Sequence, residues 1–273
     1  MYRTQSLGEM SWTEVKSIAT EDPIILVPIG AIEQHGPHLP IHEDSIVADW
    51  SANYIATQLK NEIDILVAPA LNYGHSPTFR GYAGNLSLAQ NTLRLVVGEI
   101  LDGLVASGFR RIVLIDNNGG NVAPITSASL DARQGHGILV GHLYPWQLGY
   151  GLMRDAYDDA SAVYGHGAEP EHSAMLAMFP EQVHSDSAVK RPFTQLAGWN
   201  PTSYTEAKIG NNSVPGTVFW DFSEISDTGV SGDPTVGTQA MGELWIERVM
   251  GFCCDYVREY NKNTQNGACD VRP

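Results

Sequence analysis

The fold is decided by a continuous apolar run near the N-terminus, Ile24-Ile25-Leu26-Val27-Pro28-Ile29-Gly30. Apolar runs of this length that end in glycine are typical of strands buried on both faces of a sheet. After a polar loop, apolar residues recur at helical spacing from residue 44 to residue 59. The sequence therefore predicts a strand at 24–30 that is followed by a helix.

The same alternation continues along the chain. It predicts further strands at residues 65–68, 111–116 and 137–141, and helices at residues 89–105, 124–133, 171–179 and 238–259. Strands that alternate with helices form βαβ units, which build a parallel sheet with helices on both faces. Residues 192–228 are rich in Asn, Pro, Ser, Thr and Gly and predict long loops with room for a hairpin. No repeat or low-complexity linker interrupts the chain, so residues 1–273 are predicted to form a single domain.

The composition restricts the class of protein. Of the 273 residues, 43% are hydrophobic and 17% are charged, which excludes an intrinsically disordered chain. The net charge of −15 argues against nucleic-acid or membrane partners, because phosphates are held by clusters of Lys and Arg. No apolar run is long enough to span a membrane, and residues 1–10 lack the apolar core of a signal peptide. The three cysteines, Cys253, Cys254 and Cys269, are odd in number and clustered, so a disulfide scaffold is not expected and a cytoplasmic location is predicted.

Candidate chemistry follows the predicted strands, since the carboxyl ends of parallel strands carry the sites of open α/β sheets. Residues 33–44 hold three His and three acidic residues, among them Glu33, His35 and Asp44. Imidazoles and carboxylates are ligands that suit Zn, Mn and related divalent ions. The alternative is a polar loop in which Asp44 only caps the next helix.

Two later segments could complete such a site. Residues 116–121, Asp-Asn-Asn-Gly-Gly-Asn, form a turn whose backbone N–H groups could cradle an anion, although an ordinary turn capped by Asn121 explains them equally well. Residues 165–173 carry His166, Glu169, Glu171 and His172 on a loop bounded by Gly and Pro, which indicates the second half of a metal site. For Glu171 and His172 the alternative is a solvated first turn of a helix.

These segments together resemble the creatininase (creatinine amidohydrolase) family. The stretch 30–40 with Asp44 is similar to the opening signature of that family, and residues 84–88, 116–121, 166–173 and 229–235 resemble its later blocks in the same order. The resemblance extends from about residue 10 to residue 245. It implies a three-layer α/β/α fold with a mostly parallel central sheet, and a metal-dependent hydrolase of small amides that assembles as a homo-oligomer, a hexamer in many members.

The resemblance also implies roles for single residues. Glu33 would bind one metal ion and His35 the other, Asp44 would bridge them, and Glu169 would complete the ligand set of the second ion. The candidate catalytic residues are His166, as a general acid or base, and Glu171. The candidate substrate-binding residues are Asn118, Gly119, Gly120 and Trp146, while Trp199 and Trp220 could add to an apolar wall or simply pack in the core.

Three departures from the family pattern stand out. Asn118 occupies the place of a His, Thr78-Phe79 replaces Glu-His, and the order of Gly and Ala is exchanged at Gly167-Ala168. A carboxamide is a weaker ligand than imidazole for ions such as Zn²⁺. The expected cofactor is therefore a divalent metal, with Zn favoured over Mn or Fe, bound at one tight site and a weaker second one.

The predicted reaction is hydrolysis of a C–N bond other than a peptide bond, in a small, cyclic amide, by metal-activated water. The same Lewis-acid site could instead serve a C–C or C–O bond in a cyclic ketone or lactone. A third alternative is a family member that binds metal without catalysis.

Overall fold

Four parallel strands form the central sheet. The structure is a computed structural model, and it describes residues 5–265. The strands are β1 Ile24–Ile29, β2 Ile65–Val67, β3 Arg111–Asp116 and β4 Val140–Leu143, in the order β2-β1-β3-β4. Every residue of β1 and β3 is buried, which is why residues 24–29 and residues 112–115 are continuous apolar runs. The strand predicted at 137–141 begins only at Val140, because Gly137, in a left-handed conformation with φ of 73°, ends the preceding helix.

Helices cover both faces of this sheet. They are α1 Trp12–Ile18, α2 Glu43–Leu59, α3 Gln90–Ala106, α4 Val122–His136, α5 Pro145–Leu152, α6 Ala160–Val163, α7 Glu171–Met178, α8 Gln239–Trp245 and α9 Gly251–Thr264. A π-helical turn, Ile246–Met250, joins α8 to α9, so the predicted closing helix is continuous but changes its winding.

Two apolar clusters define the layers. Leu26 and Val113 pack with α2, α8 and α9 on one face, whereas Val27 and Leu114 pack with α3 and α4 on the other. Neighbouring residues of a strand point to opposite faces, so β1 and β3 contribute to both clusters. The predicted three-layer α/β/α fold is confirmed.

The loop-rich segment contains a small antiparallel sheet of β5 Pro201–Ser203, β6 Glu206–Ala207 and β7 Gly216–Thr217. A third apolar cluster lies beneath it and includes Phe79, Trp220 and Phe222. This segment is therefore packed against the rest of the chain and not merely looped over it.

Within residues 5–265, no helix combines the length and the apolar character that crossing a membrane would require. Cys253 and Cys254 are buried free thiols. Cys269 and the first four residues of the predicted non-signal N-terminus lie outside the described part of the chain.

Candidate active site

Four carboxylates and two imidazoles converge beyond the carboxyl ends of β1 and β3, in two groups that share His35. One group is Glu33, His35 and His166, the other is His35, Glu43 and Glu171, and within each group the possible ligand atoms all lie within 4.8 Å of one another. The carboxylate of Asp44 joins them, with Oδ1 3.5 Å from the Nε2 atom of His35. All six side chains are buried.

The loop after β1 folds back on itself to hold Glu33 and His35. The Glu33 N–H donates to the Ile41 carbonyl at 2.9 Å, which closes the loop. The Nδ1 atom of His35 faces the Glu33 carbonyl at 3.3 Å, so Nδ1 carries the hydrogen and Nε2 is left with a lone pair. That Nε2 atom lies 3.2 Å from Oε2 of Glu43, in the first turn of α2.

His166 is held in one orientation by its neighbours. Its Nε2 atom lies 2.6 Å from the Gln34 carbonyl and donates to it, which leaves the lone pair of Nδ1 on the side of Glu33, 3.8 Å from Oε1. The ring of Phe79 stacks on the His166 ring with 4.1 Å between centroids. Phe79, one of the departures from the family pattern, therefore fixes the plane of this imidazole.

A glycine allows the second histidine loop to approach the first. Gly167 has φ of 65°, and a Cβ atom there would lie 2.9 Å from the His35 carbonyl oxygen. Its N–H donates to Oε2 of Glu171 at 2.6 Å and so orients that carboxylate toward the cluster.

Burial without a positive partner dominates the electrostatics of the cluster. It raises the pKa of the Glu33, Glu43, Asp44 and Glu171 carboxyls well above the usual range, and the neighbouring carboxylates raise them further. Burial also lowers the pKa of His35 to about 3. Four carboxylates buried around neutral imidazoles destabilise the folded state unless a cation neutralises their charge.

The donor set fits a divalent metal ion. Among residues 5–265, nothing donates a hydrogen bond to the buried oxygens Glu33 Oε2, Asp44 Oδ2 and both oxygens of Glu43. Neutral imidazole nitrogens and deprotonated carboxylates are the ligands that Zn²⁺ and Mn²⁺ take from proteins.

A cavity of about 320 Å³ opens onto this cluster. Its walls include Asn118, Gly119 and Gly120, which are candidate substrate-binding residues, and the aromatic rings of Phe79, Tyr144, Tyr150, Tyr204 and Phe219. Burial raises the pKa of Tyr204 to about 12, so its hydroxyl stays protonated.

The side chain of Asn118 is engaged in the loop itself. Its Oδ1 atom accepts from the Gly120 N–H at 3.0 Å, and its Nδ2 atom donates to the His75 carbonyl and to Oδ1 of Asn121, both at 3.1 Å. Asn118 therefore lines the cavity while its amide braces neighbouring backbone.

His75, which the sequence analysis missed, is the residue that this loop braces. Its N–H donates to Oδ1 of Asn121 at 2.8 Å, and a Cβ atom on Gly120 would lie only 1.8 Å from its carbonyl oxygen. The ring Nδ1 donates to the Leu88 carbonyl at 2.8 Å, so Nε2 is an acceptor, and the residue lines the cavity. The only sequence signal was a lone His in a polar stretch.

Two predicted site residues lie elsewhere. Glu169 belongs to neither group of ligand atoms: its Oε2 accepts from the hydroxyls of Tyr157 and, at 2.6 Å, Ser173. Trp146 does not line the cavity, because it lies behind Asp44, to which its indole N–H donates at 3.3 Å. Glu43, which was not among the predicted ligands, takes a place in the cluster instead. Its signal in the sequence was its position beside Asp44, as one of the three acidic residues of segment 33–44.

The two other tryptophans also differ in their environments. Trp199 is 43% exposed, and Trp220 packs in the cluster beneath the small sheet. Neither lines the cavity, so the aromatic wall comes from tyrosine and phenylalanine side chains instead.

The family model described as creatinine amidohydrolase matches residues 8–257 of the chain. The chain belongs to the creatininase family. The predicted resemblance is thereby confirmed, and the protein is a creatininase-family hydrolase.

Relatives within and around this family carry different activities in their names. The chain is 30% identical to a mycofactocin precursor peptide peptidase of Mycolicibacterium smegmatis, over 90% of this chain and 88% of the relative. It is 27% identical to a creatinine amidohydrolase of Pseudomonas putida, over 95% and 98% of the two chains. A solved creatininase with Mn is 25% identical and superimposes with a TM-score of 0.75 over 94% of this chain and 98% of the other.

Proposed function

We propose that this creatininase-family hydrolase cleaves the C–N bond of an amide, in a small molecule or a peptide, with a divalent metal ion held by the cluster around His35. The observation that carries this proposal is the set of buried carboxylate oxygens that no part of residues 5–265 satisfies. Glu33, His35, Asp44 and His166 would hold one ion, and Glu43, whose Oε2 lies 3.2 Å from Nε2 of His35, would serve a second and weaker site.

The two imidazoles and the carboxylates suit Zn, and the Mn in the name of the solved relative supports Mn as the alternative. When bound, the ion supplies Lewis acidity, which polarises a carbonyl group and makes water a better nucleophile at neutral pH.

Proton transfer falls to Glu171. Burial raises the pKa of this carboxyl well above its usual range, and the Gly167 N–H holds one of its oxygens at the edge of the cavity. Glu171 takes a proton from the attacking water and returns it to the leaving nitrogen as the C–N bond breaks. His166 is less suited to that role, since its Nε2–H is committed to the Gln34 carbonyl.

The cavity wall formed by His75 and the loop after β3 would position the substrate. The Nε2 atom of His75 can accept a hydrogen bond from a substrate N–H. The rings of Tyr144 and Tyr204 offer flat surfaces for a planar amide.

The metal content of two variants tests whether the cluster around His35, and not Glu169, binds the ion. We expect His35→Ala to lose bound metal in elemental analysis, because both ligand groups need this imidazole, whereas Glu169→Gln keeps the full content. Circular dichroism of both variants verifies that they are folded. Full metal in folded His35→Ala would contradict the proposed site, and loss in Glu169→Gln would restore the role that the sequence suggested for Glu169.

The reaction class is tested with the metal-loaded protein. Cyclic amides, including creatinine, and unstructured peptides are offered beside cyclic ketones and lactones, and the products are identified by mass spectrometry. We expect new amine and carboxyl groups from the amides or peptides. Turnover of ketones or lactones alone would assign the same Lewis-acid site to C–C or C–O bonds and would overturn amide hydrolysis.

A further inference from the structure

The catalytic cavity adjoins a second and larger groove. The groove has a volume of about 610 Å³ and shares Tyr150, Tyr204 and Thr205 with the cavity. We propose that the two form one extended site for a peptide that carries a carboxylate, with the scissile amide in the cavity and the carboxylate at Lys190 and Arg191. This inference rests on the proposed amide hydrolysis and names its substrate class.

Size is the first argument. Ligand pockets generally measure about 300–1,000 Å³. The catalytic cavity, at about 320 Å³, lies at the lower end and leaves room for little beyond a small ring. A substrate confined to it would make no use of the larger groove, whereas a chain of several residues would occupy both.

Charge is the second argument. On a chain with a net charge of −15, Lys190 and Arg191 bring two neighbouring cations to the groove wall. Lys190 donates at 3.2 Å to both the Ala162 carbonyl and Asp233, and Arg191 pairs with Asp227 through one nitrogen. An ammonium group has three donors and a guanidinium group five, so each cation keeps donors for a substrate carboxylate.

The acidic partners orient these cations without closing the groove. The side chains of Lys190 and Arg191 remain 49% and 55% exposed. Glu206 also lines the groove and repels an anion placed beside it, which restricts the favourable position for a carboxylate to the Lys190–Arg191 end.

Backbone geometry is the third argument, and it favours a peptide over a compact anion. In the small sheet, ordered β5-β6-β7, strand β5 is an edge, and Thr202 and Ser203 of that strand line the groove. An extended peptide can add to such an edge by main-chain hydrogen bonds. The Tyr164 hydroxyl, also in the groove wall, is buried and has no hydrogen-bond partner within residues 5–265.

The carboxylate could come from the C-terminus of a peptide or from an acidic side chain. The experiment therefore uses synthetic hexapeptide pools in three forms: neutral sequences with a free C-terminus, the same sequences amidated, and amidated sequences that contain Asp or Glu. The cleavage rate of each pool is measured with metal-loaded wild type, Lys190→Met, Arg191→Met and the matched control Lys208→Met, whose side chain is exposed and outside the groove.

We expect wild type to favour one carboxylate-bearing pool over the neutral amidated pool by about 10- to 100-fold in kcat/KM, mainly through KM, since hydrogen bonds to charged groups are the strong ones. That preference should collapse in Lys190→Met and Arg191→Met and persist in Lys208→Met. Calorimetric titration of the preferred pool into metal-free protein should show the same order of affinities, without any dependence on turnover.

Three results would overturn the inference. If wild type cleaves all three pools equally, or hydrolyses small cyclic amides and no peptide, the extended carboxylate site is wrong although amide hydrolysis stands. If neither peptides nor small amides are hydrolysed, the proposed function fails as well, and unselective peptide binding in the calorimeter then removes the groove assignment independently.

Discussion

At the scale of single residues, Trp146 shows how a buried side chain can serve a site that it does not line. Its indole N–H donates to Oδ1 of Asp44, and its ring packs on Trp245 with 5.1 Å between centroids. Asp44 is thereby held with one oxygen toward Trp146 and the other without a partner among the described residues. Groups behind a metal ligand fix its orientation and its basicity.

We therefore expect Trp146→Phe to lower metal affinity by about 10- to 100-fold, which is the usual effect of removing such a partner. Trp245→Phe is the matched control: it removes the same N–H from an equally buried ring, and that N–H has no acceptor within residues 5–265. Competition with a fluorescent chelator measures both affinities. Equal affinities for the two variants would show that the hydrogen bond to Asp44 is unimportant.

At the scale of elements, the loop after β3 acts as a brace for the segment that carries His75. The Asn118 side chain makes three hydrogen bonds, two within this loop and one to the His75 carbonyl. Its neighbour Asn117 is buried with no side-chain partner in the described part of the chain. Replacing Asn118 or Asn117 by Ala therefore distinguishes the effect of the lost hydrogen bonds on stability from the effect of changing a buried Asn.

Asn118→Ala should destabilise the protein by about 1–3 kcal/mol for each buried backbone group that it leaves unsatisfied, namely the His75 carbonyl and the Gly120 N–H. Asn117→Ala, which leaves no partner behind, should cost clearly less. Urea unfolding of both variants gives the comparison, and equal midpoints would refute the bracing role of residue 118.

The helices and strands could be predicted where their burial produces a recognisable apolar pattern in the sequence. Strands β1 and β3 are covered on both faces, so an apolar run marks all of β1 and the four central residues of β3. Strand β4 alternates between buried and half-buried residues, so its apolar pattern is weaker. The predicted strand therefore started at Gly137, which is the residue that ends α4. The π-turn at Ile246–Met250 has no apolar period of its own, so the sequence could only indicate one long helix.

The site was predictable by region and less so by residue. The strand-end rule located the loop of His35, which follows β1. The loop of His166 follows α6 and not a strand, so only its own His and acidic residues indicated it. The sequence could not distinguish Glu169 from Glu171, two residues apart on one tight turn, since the direction of each carboxylate depends on the backbone between them. Glu171 reaches the cluster, and Glu169 bonds to Tyr157 and Ser173.

At the scale of the whole molecule, the family resemblance predicts a symmetric homo-oligomer, with a hexamer expected. Closed symmetry is the usual form of soluble homo-oligomers. On the outer helices α3 and α4, Leu95 and Leu130 are 53% and 57% exposed, which is apolar surface that an assembly could cover. Light scattering at micromolar concentration measures the mass, and a stable monomer would contradict the expectation.

The buried cluster also couples the stability of the whole molecule to pH and metal. Burial raises the pKa of Glu33, Glu43, Asp44 and Glu171 in the folded chain, so the folded state binds more protons than the unfolded state, and their contribution to stability is lost as the pH rises toward the folded pKa values. His35 works in the opposite direction, because its lowered pKa makes its contribution fall away below about pH 6.5, the unfolded value.

Between about pH 7.5 and pH 8.5 the lowered pKa values of His35 and His166 keep both imidazoles neutral in the folded state, and an unfolded His is also largely neutral there. The response of the cluster to pH in this interval therefore comes from its carboxyls. We expect the melting temperature of chelator-treated protein to fall across this interval. The metal-loaded protein should melt higher and hold or gain stability, because a bound cation takes the place of the protons and its affinity rises as the ligands deprotonate. Differential scanning calorimetry of both forms in matched buffers measures how each melting temperature changes with pH. Parallel curves would mean that the metal does not bind at these carboxylates. A His35→Ala protein should follow the metal-free curve even with metal added, since it lacks the imidazole common to both ligand groups.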